Sequence, residues 1–440
     1  MGSKAMHSWV RMAKLSSNNP WRPIALTFAL SFALRVAIAC WLPHEVVWPD
    51  GFRYIKVADT ILSGHGFGDM LDNRYSVPTQ PLLIAAIWFA FGKSYLALRL
   101  FFATLGAVTC TLAYVLAKRL FDPVTAFIAA VLVAVYPYFI YLSALFEFPQ
   151  TFFLFVMSVF FALLYEFFHR KRLFLLFFAG FCLGLGILSV PTAMIFAPLL
   201  VLTLWSGRLH ETLVRAVVLT IAVCLPVAAW TIRNYIAYDE LILVNKGAGF
   251  NFWIANNDTY FRFGKKAVVP PCAVGFKDTS LCRDFDELEN RIGSGLSEKA
   301  FIAAHEAESW ANGLRFVRET PGKFAILAVR KQLEFWSPNP DALNSGLSRG
   351  GAARGWIAMA SYGPILVLAV IGVINSRTRW RQFAPIYAYV LAFSATYCIF
   401  LPTTRYRLPL DFFLIIFAAY AIARFFQSRK ANHALSAANG

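Results

Sequence analysis

Along this chain apolar positions do not alternate with polar ones; they run together in stretches of about twenty residues, separated by short polar or basic turns. An α-helix needs that length to cross about 30 Å of hydrocarbon, so the pattern predicts an all-α polytopic membrane protein. The expected crossings are 24–42, 95–117, 124–143, 149–168, 173–190, 192–206, 212–231, 356–375, 383–401 and 409–425, a bundle of about ten transmembrane helices. One apolar run is too short to count. Pro81 to Phe91, eleven residues, reaches only about 16 Å as a helix and is expected to lie at the outer interface. The tract from Leu173 to Trp205 is interrupted by Pro191 and is split into two crossings, because basic residues flank both of its ends.

Charge orients the bundle. Lys118/Arg119, Arg170/Lys171/Arg172, Arg208/Arg215, Arg377/Arg379/Arg381 and Arg424/Arg429/Lys430 fall on one side, together with Lys4, Arg11, Lys14 and Arg22 ahead of the first run. Basic residues gather on the cytoplasmic face, so both termini are expected inside. The first run is read as a retained helix, since no small-residue cleavage site follows it. Three segments result: an N-terminal transmembrane module, 1–232, with a first outer loop at 43–94; an outer insert, 233–355; and C-terminal helices with a tail, 356–440. The insert holds 14 of the 24 acidic residues. Its tracts Asp284 to Ser294 and Ser297 to Val317 read as helices, forming a small lid with no second catalytic domain.

Composition agrees with that picture. Of 440 residues, 58% are hydrophobic and 15% charged, outside the range of soluble domains, so a secreted globular enzyme is excluded. The formal charge of +17 could suggest nucleic acid, but its basic residues lie mostly between apolar runs, where they orient helices; no nucleic-acid partner is expected. Five cysteines sit in apolar spans as small buried hydrophobes. Cys272 and Cys282, in the insert, are expected to form a disulfide, and with His305 the insert's sole histidine no zinc site is expected there.

Three outer segments carry candidate chemistry. Asp50 opens an amphipathic stretch that includes Tyr54 and leads to His65 and Arg74; its carboxylate is either a helix cap or a base held at the membrane face. Glu147 lies in a short turn between two apolar runs, where a charge needs a partner or a function. At the start of the last helix, Arg405-Tyr406-Arg407 places two guanidinium groups on the outer side, suited to a phosphate, to lipid headgroups or to Asp411, and Arg233 adds a third cation. Arg35, inside the first span, is expected to satisfy helix-end carbonyls or to pair within the bundle.

Taken in order, these blocks resemble a known family. The Asp50 loop with Leu62-Ser63-Gly64-His65-Gly66, the segment Pro78-Thr79-Gln80-Pro81-Leu82-Leu83, Ser94 to Arg99, Arg233-Asn234-Tyr235, Asn251 to Asn257 and Arg405 to Pro409 are similar to bacterial GT-C membrane glycosyltransferases of the protein-mannosyltransferase and aminoarabinose-transferase type. The resemblance implies an inverting transfer of sugar from a polyprenyl-phosphate donor to a glycan, lipid or protein acceptor at the periplasmic face of the bacterial inner membrane. It implies Asp50 as base, supported by Glu147, with Arg405, Arg407 and Arg233 on the donor phosphate. Tyr54, His65, Arg74, Gln80, Tyr406 and Asn256 would line the substrate site. No cofactor is required by the pattern, with a divalent metal left open. The chain departs from relatives at Gly51, where an acid is common, at Val190, where an arginine often precedes the proline, and at Gln80, near the lysine of aminoarabinose transferases. An oligosaccharide ligase or polymerase using a pyrophosphate-linked donor, and a glycolipid flippase, are the competing readings; spans nearly free of internal charge speak against the flippase.

Overall fold

The computed structural model describes residues 21–42, 46, 49–68, 74–268, 278–293, 298–338 and 351–438, and among these the chain is helical with no strand. The first long helix is α1 (Trp21–Trp41); α2 (Pro49–Leu62) and α3 (Thr79–Phe91) are the two short outer-loop helices. The bundle continues with α4 (Tyr95–Leu120), α5 (Pro123–Val135), α6 (Pro137–Ala144), α7 (Gln150–Arg170), α8 (Leu173–Ser189), α9 (Phe196–Thr203) and α10 (Leu209–Tyr238). The insert supplies α11 (Ala248–Ala255), α12 (Asp258–Phe263), α13 (Ser280–Gly293), α14 (Glu298–Glu319) and α15 (Pro321–Trp336). Three long helices close the fold: α16 (Gly351–Asn375), α17 (Trp380–Ile399) and α18 (Thr404–Ala438).

Every expected crossing coincides with helix, but the expected count of ten is not reached. Seven helices among the described residues are long and apolar enough to cross singly, or eight if α5 and α6 are one span bent by 53°. Asp122 caps α5, accepting from the Val124 and Thr125 amides at 2.9 and 3.0 Å, with Pro123 preset for the first turn. Pro137 then breaks the run. Arg35 donates to the Ala134 carbonyl at 3.2 Å, beside that break, which is the use expected for this intramembrane arginine.

The Leu173–Trp205 tract runs out and back without either half being a full-length crossing. The 17-residue α8 ends at Ser189, whose hydroxyl meets Thr79 Oγ1 at 2.7 Å. A 3-10 turn at Pro191–Ile195 reverses the chain, and the 8-residue α9 returns to Trp205, near Lys171 again. Small residues let α8 lie close on α10: a Cβ at Gly180 would stand 2.9 Å from the Leu219 carbonyl, and one at Gly184 2.6 Å from that of Val223. Such glycines, four apart, are a common means of helix association in membranes.

α10 continues past the expected boundary at 232/233 to Tyr238, and at 30 residues rises about 45 Å. The two helices read in the insert are α13 and α14. Insert side chains Trp253, Tyr260, Leu281, Leu288, Phe316 and Leu327 form their own apolar cluster, which also takes in Leu401 from the α17–α18 connection. The insert thus rests on the segment that leads into Arg405. Cys282 is disulfide-bonded and buried; Cys272 lies outside the described residues, and the five span cysteines are free.

Candidate active site

The start of α2, the turn after α6 and the start of α18 meet at one end of the bundle. Asp50, in the first turn of α2, accepts a hydrogen bond from Arg405 Nη1 at 3.3 Å and has Arg53 Nη1 at 3.9 Å. Its side chain is 35% exposed and that of Arg405 17%, so the pair stands at an accessible edge. Arg405 Nη2 donates to the Tyr406 hydroxyl at 3.3 Å, while its Nε is buried with no hydrogen-bond partner. The guanidinium is flanked by the Phe148 ring at 5.3 Å and the Tyr406 ring at 5.0 Å, which fix its plane. Tyr406 in turn stacks on Tyr397 at 5.1 Å. Tyr54, one turn along α2 from Asp50, is buried; burial first and the Asp50 carboxylate second push its phenol above the usual range, so it stays protonated.

Glu147 belongs to the same neighbourhood. It is 1% exposed and lies in the electrostatic reach of Arg99. A Cβ placed on Gly51 would come within 2.8 Å of Glu147 Cγ and of Val46 Cγ1. Glu147 therefore occupies the room that a side chain next to Asp50 would need, which gives Gly51 a physical reason. Gln80, fully buried on α3, donates to the Phe146 carbonyl and holds the turn that presents Glu147 and Phe148.

Other expected residues lie elsewhere. Arg407 is 2% exposed and is engaged by structure: Nε donates to Asp411 at 3.1 Å, Nη1 to the Phe335 and Ser337 carbonyls at 3.0 and 2.6 Å, and its guanidinium lies 3.5 Å from the Tyr362 ring centre. His65 is exposed in a glycine-rich turn. Arg233 and Arg74 form a separate cluster, with their guanidinium groups 4.9 and 4.8 Å from the Tyr238 ring; Arg74 has Nε and Nη1 buried without partners.

Asn256 is a framework residue. Its Nδ2 donates to the Ile399 carbonyl at 2.9 Å, and its Oδ1 accepts from Lys331 at 2.8 Å. Lys331, which the sequence reading passed over, also donates to Ile399 at 2.9 Å and is fully buried. Burial lowers its pKa to about 7, against the raising effects of Cys398 and Glu334. The signal was present: Leu327, Lys331 and Phe335 share one buried stripe of α15, and a lysine on such a stripe needs dedicated acceptors. Among the described residues no group of three His, Cys, Asp or Glu side chains is placed to hold a metal ion.

Residues 76–230 match the family described as dolichyl-phosphate-mannose-protein mannosyltransferase. A protein of Aquifex aeolicus (strain VF5), described as uncharacterized, is 27% identical over 152 residues, covering 34% of this chain and 30% of that relative. Among solved structures, the archaeal oligosaccharyltransferase AglB from Archaeoglobus fulgidus, in complex with an inhibitory peptide and a dolichol-phosphate, is similar with a TM-score of 0.53 and 17% identity over 95% of this chain and 51% of that one. Its apo form gives 0.55 and 15% over 95% and 52%. The chain thus spans about half the length of the oligosaccharyltransferase and under a third of the curated relative. In fold this chain is thus similar to the membrane oligosaccharyltransferase, and its stretch 76–230 matches the mannosyltransferase family model.

Proposed function

We propose that the chain is a membrane glycosyltransferase that moves a sugar from a polyprenyl-phosphate donor to an acceptor hydroxyl at the periplasmic face of a bacterial inner membrane. The observation that carries this reading is the Asp50–Arg405 pair at the accessible edge of the bundle, where the carboxylate is 35% and the guanidinium side chain 17% exposed. Asp50 takes the proton of the acceptor hydroxyl as its oxygen attacks the anomeric carbon. The bond from that carbon to the phosphate oxygen breaks in the same displacement, inverting the centre. Charge builds on the leaving polyprenyl phosphate, and Arg405 meets it through N–H groups set in place before reaction. Glu147, packed on Gly51, fixes the approach of Asp50. Arg233 with Arg74 forms a second anchor for the donor headgroup, while Arg407, paired with Asp411 one turn along, anchors α18 to the end of α15. The match to the mannosyltransferase family and a fold shared with a protein solved with dolichol-phosphate support this donor class.

The oligosaccharyltransferase likeness also favours a second reading, in which the donor carries an oligosaccharide on a pyrophosphate-linked lipid. The test is transfer of label from a panel of polyprenyl-monophosphate sugars and pyrophosphate-linked oligosaccharides, using purified chain beside Asp50→Asn in matched liposomes. The expected result is transfer from a monophosphate donor that disappears in Asp50→Asn while the melting temperature is retained. Consumption of pyrophosphate-linked donors alone selects the second reading, and an active Asp50→Asn removes Asp50 from its role.

A further inference from the structure

At the opposite end of the bundle, away from Asp50, lies a cavity of about 980 Å³. It is walled by the α7–α8 turn, the α9–α10 connection and the start of α17, and Arg119, Lys171, Arg215 and Arg381 all line it. Two carboxylates oppose these four cations, and both are already engaged. Glu166 is held by Arg119 and Arg170, and Glu211 by Arg208 and Arg215, at 3.0 and 3.1 Å in the second case. Among the described residues, no carboxylate lies within ion-pair distance of Lys171 or Arg381.

The floor of the cavity is built. Arg215 has a side chain only 14% exposed, donates to the Leu204 carbonyl at 3.2 Å and lies against the Phe167 ring at 5.7 Å. Lys171 is held at φ 55°, in the left-handed region, by capping α7 through its amide on the Phe167 carbonyl at 2.7 Å. That unusual backbone for a non-glycine residue is over-determined by the helix end and fixes where the lysine stands. Partial burial, with Arg215 second, pushes the Lys171 ammonium below the usual lysine range, while Glu211 pulls the other way. The cavity is thus electropositive around a lysine that makes no ion pair among the described residues.

What it opens beside is apolar. Leu202, Trp205, Leu209 and Leu213 are 54–74% exposed on the adjoining α9–α10 surface, and Phe174 and Trp380 are exposed nearby. In a bilayer those side chains face acyl chains. We infer that this cavity binds the phosphate of an anionic phospholipid headgroup drawn from the leaflet at the basic end of the bundle, with the acyl chains lying along α9 and α10. Basic pockets between transmembrane helices recognise phosphate headgroups in this way. A free soluble phosphate has the same headgroup chemistry but no use for the apolar flank. The inference stands whether or not the outer site transfers sugar.

The test uses the full chain purified in detergent and stripped of lipid. Thermal unfolding and native mass spectrometry are read with added phosphatidylglycerol, phosphatidylcholine or inorganic phosphate, for wild type and for Lys171→Glu/Arg381→Glu. Both substituted side chains are exposed and make no ion pair among the described residues, so the variant is expected to fold; Arg172→Glu/Arg424→Glu, two exposed positions outside the cavity lining, is the charge-matched control. The expected result is about tenfold tighter retention of phosphatidylglycerol than of phosphatidylcholine, lost in the double variant and kept in the control. Equal stabilisation by inorganic phosphate overturns the lipid source. Equal lipid preference in the double variant and wild type overturns the site.

Discussion

Arg405 and Arg407 stand two residues apart on the same helix, both outside the expected membrane core, yet they are used in opposite ways. Two positions on an α-helix differ by about 200° in direction, so they face different surroundings. Arg405 reaches the accessible edge, with its side chain 17% exposed, and shares one N–H with Asp50. Arg407 looks inward, and its partners Asp411, Phe335 and Ser337 join α18 to the end of α15. A guanidinium at an accessible edge can receive a ligand, whereas one enclosed by its own fold holds the fold.

The largest effect should come from Arg407. Replacing it by Ala leaves Asp411 buried without its cation, and breaking such a pair costs about 3–5 kcal/mol. Thermal unfolding in one detergent should show a large fall, and the double variant Arg407→Met/Asp411→Leu should recover most of it. An Arg407→Ala chain as stable as wild type would erase the contrast. Next, Arg405→Ala should lower transfer by about 10²- to 10³-fold, the typical loss of one preorganised donor, with little change in melting temperature. Arg405→Lys should recover only part of the rate, since an ammonium lacks the planar fork. The smallest effect sharpens the place of Glu147. Gly51→Ala puts a methyl group 2.8 Å from Glu147 Cγ and should cost about 1–3 kcal/mol of stability, the usual penalty for overpacking. Transfer should fall along with it, because Gln80 restrains the turn that would have to yield. Unchanged melting and unchanged rate would show Glu147 free to move.

What the chain discloses before folding follows the range of the interactions. The spans, the short α3 and the helix after Asp50 are local properties of hydropathy and were legible. The bend at Tyr136-Pro137 was not, since 124–143 fits one full crossing; the break at Pro191 was legible, but the brevity of α8 and α9 on either side of it was not, because each half is apolar enough to read as a crossing. The site was half legible. Asp50, Glu147 and Arg405 are conspicuous as charges in apolar or outer settings, but the contact between Asp50 and Arg405 joins residues 355 positions apart, and no local pattern specifies it. The division between Arg405 and Arg407 was equally hidden, because the sequence offers a phosphate, lipid headgroups and Asp411 alike as partners for either arginine. Lys331 was overlooked because a single lysine in an amphipathic helix usually faces water.

The length of α8 has a consequence for the lipid around it. Seventeen residues reach about 25 Å, short of a hydrocarbon layer of about 30 Å. Phe174 and Phe178 on that helix face outward, so the surrounding bilayer meets a hydrophobic mismatch there and is drawn thin, at a cost of fractions of a kcal/mol for each Å. Lipid headgroups beside α8 are expected nearer the midplane than elsewhere around the protein, and a long-chain phosphate approaching from that side arrives correspondingly deeper.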